Sequence, residues 1–379
     1  MTKRELNLRI FRGEPVPRVL WQPRMEPWFA WHTLFGTLPE CFRGMALRDV
    51  YDELDLSMRY VHFYTGMPDP VREDYAEGVH VRREVLADGD TLTVIATPHG
   101  ELVRRDHETV DRMWRTVDYP VKTAADLPKL RWLFERTTYH FVPENFQMGS
   151  RFIGERGEPQ FWVPKSPYQA LCQQWMKLDD FIYALADEPA KIADVMDVID
   201  RSYAVLYEEI VASGQVHIVN FGENIHDSLL SPAYFERYLI PWYEKRAGQL
   251  RGGGVFTHMH LDGNFASLLP YLAALPFDGL EALTPSPQGD VTLEQIRDHI
   301  GDKVLLDGIP AVLFLPHYSM GQLQECVETV VEMFHPRLVL GISDELPEGV
   351  GEGAVERLRW IGDYCRSRSA GRPGSSGSP

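Results

Sequence analysis

Cysteine is scarce in this 379-residue chain. Cys41, Cys172, Cys326 and Cys365 lie far apart with no CxxC pair, which excludes a disulfide framework or a thiolate zinc knuckle and leaves them as reduced, packed thiols. Positive charge is also short. Against 38 Lys and Arg stand 55 Asp and Glu, a net charge of −17, a balance that opposes a phosphate backbone or an anionic membrane surface. No uncharged apolar run reaches the roughly eighteen residues of a membrane span. The opening MTKRELNLRIFRGEP alternates charged and apolar residues instead of forming a signal-peptide core, so no membrane, no nucleic acid and a cytoplasmic location are the expectations. The absence of GxGxxG, GxxxxGK[ST] or GxSxG in a convincing context withholds support from nucleotide binding and serine hydrolysis.

What is present is a core-forming composition, 44% hydrophobic, arranged as short β-rich runs alternating with longer amphipathic ones. From Phe161 onward the runs are FWVPK (161–165), VHIVNF (216–221), VFTHMH (255–260), GLEAL (279–283), VLLDGI (304–309) and RLVLGI (337–342). Two earlier runs, RVLWQ (18–22) and RYVHFY (59–64), bring the tally to that of a closed (β/α)8 barrel. Apolar residues at Ile192, Val195, Val198, Ile199, Tyr203 and Leu206 predict a helix over 189–213. Ser231-Pro232 predicts an N-cap and first turn of a helix through about Ala247, with Gly248 placed to end it. Residues 79–100 alternate around an Asp-Gly turn and predict a β-hairpin inserted beside the barrel. The expected organisation is one α/β barrel over residues 1–366 with an N-terminal extension, followed by a disordered Gly/Ser/Pro-rich tail over 367–379.

In such barrels chemistry sits where the strands end. The polar residues delivered there are Gln22 and Arg24, Lys165, Glu223 and Asn224, His258 and His260, Glu281, Asp307, and Ser343, Asp344 and Glu345. His258 and His260, two apart on a strand, point to one side and can hold one metal ion, with zinc the first choice; alternatively one faces the site and the other packs in the wall. Glu223 reads as a third ligand, a general base or an ion-pair partner of Arg24 or Lys165. Asp344-Glu345 reads as a ligand, a catalytic pair or an acidic turn. Trp21, Trp28, Phe29, Trp31 and His32 line an apolar pocket or belong to the core, and Trp28, Trp31, Tyr168, Lys165 and Asn224 are the candidate substrate contacts. Asp262-Gly263-Asn264 predicts a tight turn.

Residues 220–310, with LLSPAYFERYLIPWY, a histidine strand followed by DGN, GLEALTPSPQGD and VLLDGIP, resemble the uroporphyrinogen decarboxylase-like superfamily, including its corrinoid-dependent methyltransferase branch. EPVPRVLWQPR resembles the opening of those barrels, so the likeness spans roughly 10–366. Decarboxylase members hold substrate carboxylates with an arginine-rich opening, where this chain offers Arg24. Thiol-methylating members bind zinc through His-x-Cys and a distant cysteine, where this chain has His258-x-His260 and GISDELPEG. The resemblance implies methyl transfer, with zinc, from a small methylated substrate, a methyl ether by preference, to a corrinoid on a partner protein; Arg24, Glu223 and Asp344 would be catalytic and Glu223 would join the histidines. A metal-free decarboxylase or lyase using Arg24, Lys165 and Asp307, and a non-catalytic ligand-binding barrel, are the alternatives. A homodimer is left open.

Overall fold

The computed structural model describes residues 1–227 and 230–368, so the expected disordered tail lies almost wholly outside the described residues. The chain divides into two compact units, one of residues 1–69, 143–162 and 215–379, the other of 70–142 and 163–214. The strands in chain order are β1 (Leu20–Trp21), β2 (Val71–Tyr75), β3 (His80–Val85), β4 (Thr91–Thr97), β5 (Gly100–Glu108), β6 (Trp114–Asp118), β7 (Thr137–Phe141), β8 (Trp162–Val163), β9 (Ile218–Ile225), β10 (Phe256–Leu261), β11 (Gly279–Glu281), β12 (Val304–Pro310) and β13 (Leu338–Ser343). No helix is long and apolar enough to cross a membrane among the described residues.

The first unit is built on a parallel sheet of seven strands, ordered β1-β13-β12-β11-β10-β9-β8, with helices between successive strands as in a TIM barrel. Strands β12 and β13 are buried along their whole length, which explains their unbroken Leu, Val and Ile runs: a parallel strand covered on both faces has no polar side. The expected eighth strand over 59–64 does not form. Tyr60 makes a lone bridge to Gln160, and the preceding segment is held at single points, Ser57 N–H on the Trp21 carbonyl and Val61 N–H on that of Gln160, each at 2.9 Å. Phe63 and Tyr64 join no strand, and Tyr64 is left-handed at φ 51°. The N-terminal extension is a helix, Lys3–Phe11, whose Leu6, Ile10 and Phe11 pack with Ile218, Val304 and Val339 at the beginnings of the strands, closing the end of the sheet away from the site.

The second unit carries the predicted hairpin. Strands β3 and β4 pair antiparallel across the Asp88-Gly89 turn, and β5 and β6 extend them to four strands; β2 and β7 form a separate antiparallel pair. The helix expected over 189–213 is interrupted at Tyr203, giving Pro189–Ser202 and Ala204–Ser213. In the first unit the Ser231 hydroxyl caps its helix as anticipated, but the helix runs past Gly248 to Gly252, because Tyr243, Ala247 and Leu250 continue its buried stripe.

Candidate active site

The ends of β9 to β13 converge on one carboxylate, Glu281, the last residue of β11 and fully buried. Its cross-strand neighbour on β10 is His260, whose Nδ1 lies 3.3 Å from Glu281 Oε2; His258 Nδ1 lies 3.5 Å from the same oxygen. The two histidines thus share one side of the strand, as their spacing predicts. The Tyr60 hydroxyl donates to Glu281 at 2.7 and 2.8 Å. Arg59 Nη1 and Asn220 Nδ2 also donate to it, and Arg59 Nη2 donates to Asp307 Oδ1 at 2.9 Å. Arg59 Nε rests on Gln22 Oε1 at 2.9 Å, and Gln22 is itself tied to the Ser57 hydroxyl at 2.7 Å, so the guanidinium is fixed on three sides.

Backbone features make room for this cluster. Asp307 sits at φ 80°, a conformation that costs a non-glycine residue about 1 kcal/mol or more. It is steadied by the next amide, Gly308 N–H, on the Ser343 hydroxyl at 3.1 Å. Gly341, on neighbouring β13, leaves the space the carboxylate needs, since any Cβ there would collide with Asp307 Oδ1 and with the Gln22 carbonyl.

Burial sets the charges. For Arg59, burial alone would lower the pKa, but the Asp307 and Glu281 carboxylates outweigh it and hold the guanidinium above its usual range. For Glu281, burial favours the neutral acid, yet Arg59 and His260 outweigh it and keep the carboxylate well below its ordinary value. Burial, with Glu281 nearby and only partial relief from Arg59, pushes Asp307 up to about 7. The histidines separate. Burial drives His258 down to about 3, so it is neutral, whereas for His260 the opposing pull of Asp344 and Glu281 exceeds the burial penalty and raises the pKa. His260 Nε2 lies 3.8 Å from Asp344 Oδ2, and Arg24 binds Asp344 and Glu345 at 2.7 Å each. The two imidazoles of the pair are therefore shifted in opposite directions, His258 toward the neutral ring and His260 toward the imidazolium.

Several expected residues lie elsewhere. Glu223 is fully buried and accepts from the Tyr243 hydroxyl at 2.8 Å. Asn224 is exposed and left-handed at φ 53°. Trp28 is enclosed between His32 and Phe42 with its indole N–H on the Val350 carbonyl at 2.7 Å, a core position without an open ring face. Trp31 is half-buried against Phe35. Lys165 and Tyr168 belong to the second unit, where Tyr168 is buried edge-on to Phe181. The zinc triad of His258, His260 and Glu223 is not assembled. His258 Nε2 is engaged by Gln160 Oε1 at 2.8 Å, Glu281 is saturated by Arg59, Tyr60 and Asn220, and no group of three or more His, Cys, Asp or Glu is placed to hold a metal ion among the described residues. The donors present do not fit a resident zinc.

The sequence reading missed Arg59, Tyr60, Asn220 and Gln160. Their signal was there: Arg59 is a charge inside an otherwise apolar run, and Asn220 a lone polar residue in VHIVNF.

No protein-family model matches the chain. No curated protein does so either. Among solved structures, a methyltransferase from Methanosarcina mazei superposes with a TM-score of 0.61 at 14% identity, covering 96% of this chain and 99% of that one. A B12-independent methionine synthase from Shewanella sp. W3-18-1, in complex with selenomethionine, gives a TM-score of 0.43 at 10% identity over 84% of this chain and 85% of that one. The first of these likenesses shows that this chain shares the methyltransferase's fold.

Proposed function

We propose that the chain is a methyltransferase that takes a methyl group from a small methyl ether and delivers it to the reduced cobalt of a corrinoid carried by a separate protein. The observation that supports this most directly is His260. It is a buried imidazole between the carboxylates of Glu281 and Asp344, at the strand ends, on a fold shared with a methyltransferase. When the C–O bond breaks, its electron pair stays on the ether oxygen and the methyl group leaves to the acceptor. His260 supplies the proton that turns that oxygen into a hydroxyl, and Glu281 and Asp344 hold the imidazolium in line for the transfer. Arg59 keeps Glu281 ionised, and Arg24 fixes the position of Asp344 through their ion pair. Neutral His258, anchored by Gln160, walls the site. No step passes through a metal. The decarboxylase alternative is less well supported, because Arg24 and Arg59 are already neutralised by protein carboxylates and neither is available for a substrate carboxylate.

The test is to incubate the purified chain with a panel of methoxyaromatic and aliphatic methyl ethers and free Co(I) corrinoid, following the corrinoid spectrum and the demethylated product. Methyl transfer from at least one ether is expected, falling as pH rises through the raised pKa of His260. His260→Gln should lower the rate about a hundredfold or more, the range of a lost general acid. Release of carbon dioxide from a carboxylic substrate with no methyl transfer would defeat the reading. Elemental analysis of the same preparation should find zinc well below one equivalent per chain.

A further inference from the structure

The second unit contains a groove of about 440 Å³, within the usual size range of small-molecule sites, which methyl transfer in the first unit does not use. One part of its lining is the face of the four-stranded sheet. There Arg83, Thr93 and Arg104 form a rung across β3, β4 and β5, above an apolar rung containing buried Ile95 and Leu102. The other part comes from β2, which supplies Glu73 and Tyr75, and from Trp175. Arg104 is committed to Asp106 at 2.8 Å, and Asp106 also accepts from the Thr116 hydroxyl at 2.8 Å, so that pair is self-contained. Arg83 differs: no ion pair fixes it among the described residues. Glu73 accepts from the Tyr139 hydroxyl at 3.0 Å and from that of Tyr75, and feels the positive charge of Arg83 and Arg104, but makes no ion pair within 4.0 Å with either arginine. The groove also leaves aromatic surface in the open, with Trp114 50% and Tyr75 37% exposed.

From this arrangement we infer that the groove binds an amino-acid-sized zwitterion with an aromatic or comparably flat apolar body. An anion without a cation would gain Arg83 but meet Glu73, and a cation without an anion would gain Glu73 but meet Arg83. A ligand bearing both charges satisfies the two groups at once, and its body covers the exposed faces of Trp114 and Tyr75. The assignment is independent of what the first unit catalyses.

Equilibrium dialysis of the full chain against labelled L-phenylalanine tests it, with Trp114 fluorescence as a second readout. Saturable binding of one molecule per chain is expected. Phenethylamine and N-acetyl-L-phenylalanine, each lacking one of the two charges, should bind about tenfold more weakly or worse, the equivalent of about 1.4 kcal/mol each. Arg83→Ala and Glu73→Gln, both at exposed positions, should weaken the probe by a similar factor while the melting temperature stays unchanged. No saturable binding up to about 10 mM, equal binding of either singly charged compound, or binding indifferent to both substitutions would overturn the assignment.

Discussion

The chain contains two clusters of arginine and carboxylate that follow opposite rules. At the strand ends of the first unit, Arg59, Glu281 and Asp307 are buried and every charge is answered by another within the protein. In the groove of the second unit, Arg83 and Glu73 are exposed and feel each other's charge without an ion pair closer than 4.0 Å. The contrast is one of dielectric. An ion removed from water costs several kcal/mol unless its partners are fixed around it, whereas a solvated ion pays little to stay single and gains little from a partner. A buried cluster therefore defines its own geometry, and an open one leaves its charges for a visitor.

The strongest test of that contrast is Arg59→Met. It strands two buried carboxylates and should cost about 3–5 kcal/mol in urea unfolding; a loss below about 1 kcal/mol would mean that water already reaches the cluster. Next in size is a pH effect. Asp307 is held up to about 7 in the folded chain, while an unfolded Asp titrates near about 4. Between those values the native state keeps a proton that the unfolded state has lost, so stability falls as pH rises, by at most about 1.4 kcal/mol per pH unit. Asp307→Asn should remove that decline, and parallel slopes for the two proteins would count against the assignment. Gly341→Ala, which places a methyl group against Asp307 and the Gln22 carbonyl, should cost about 1–3 kcal/mol as an overpacking substitution. At the small end, Arg83→Ala in the groove should change stability by less than about 0.5 kcal/mol, and a larger loss would show that this arginine is already engaged.

Much of the first unit was legible from residue pattern. The six strands from β8 onward lie where continuous or alternating apolar runs predict them, because strand burial is written locally in side-chain polarity. Gly263 is left-handed at φ 60°, as the Asp-Gly-Asn turn requires. The run 59–64 misled because its apolar residues face the core without joining a ladder. The placing of Glu223 failed for another reason: its partner, Tyr243, comes from the following helix, and nothing in GEN announces it.

The sequence by itself therefore determined the parallel sheet, the placing of His258 and His260 on one side of β10, the hairpin and the acidic balance, all of which depend on neighbours within a few residues. Only the tertiary structure decided that Glu281 is the hub of the site, that the two histidines are shifted in opposite directions, and that Arg59 joins strands whose carboxylates lie 222 and 248 residues away along the chain. Burial and ion pairing set those charges, and both are properties of positions that the chain reaches only when the sheet has assembled.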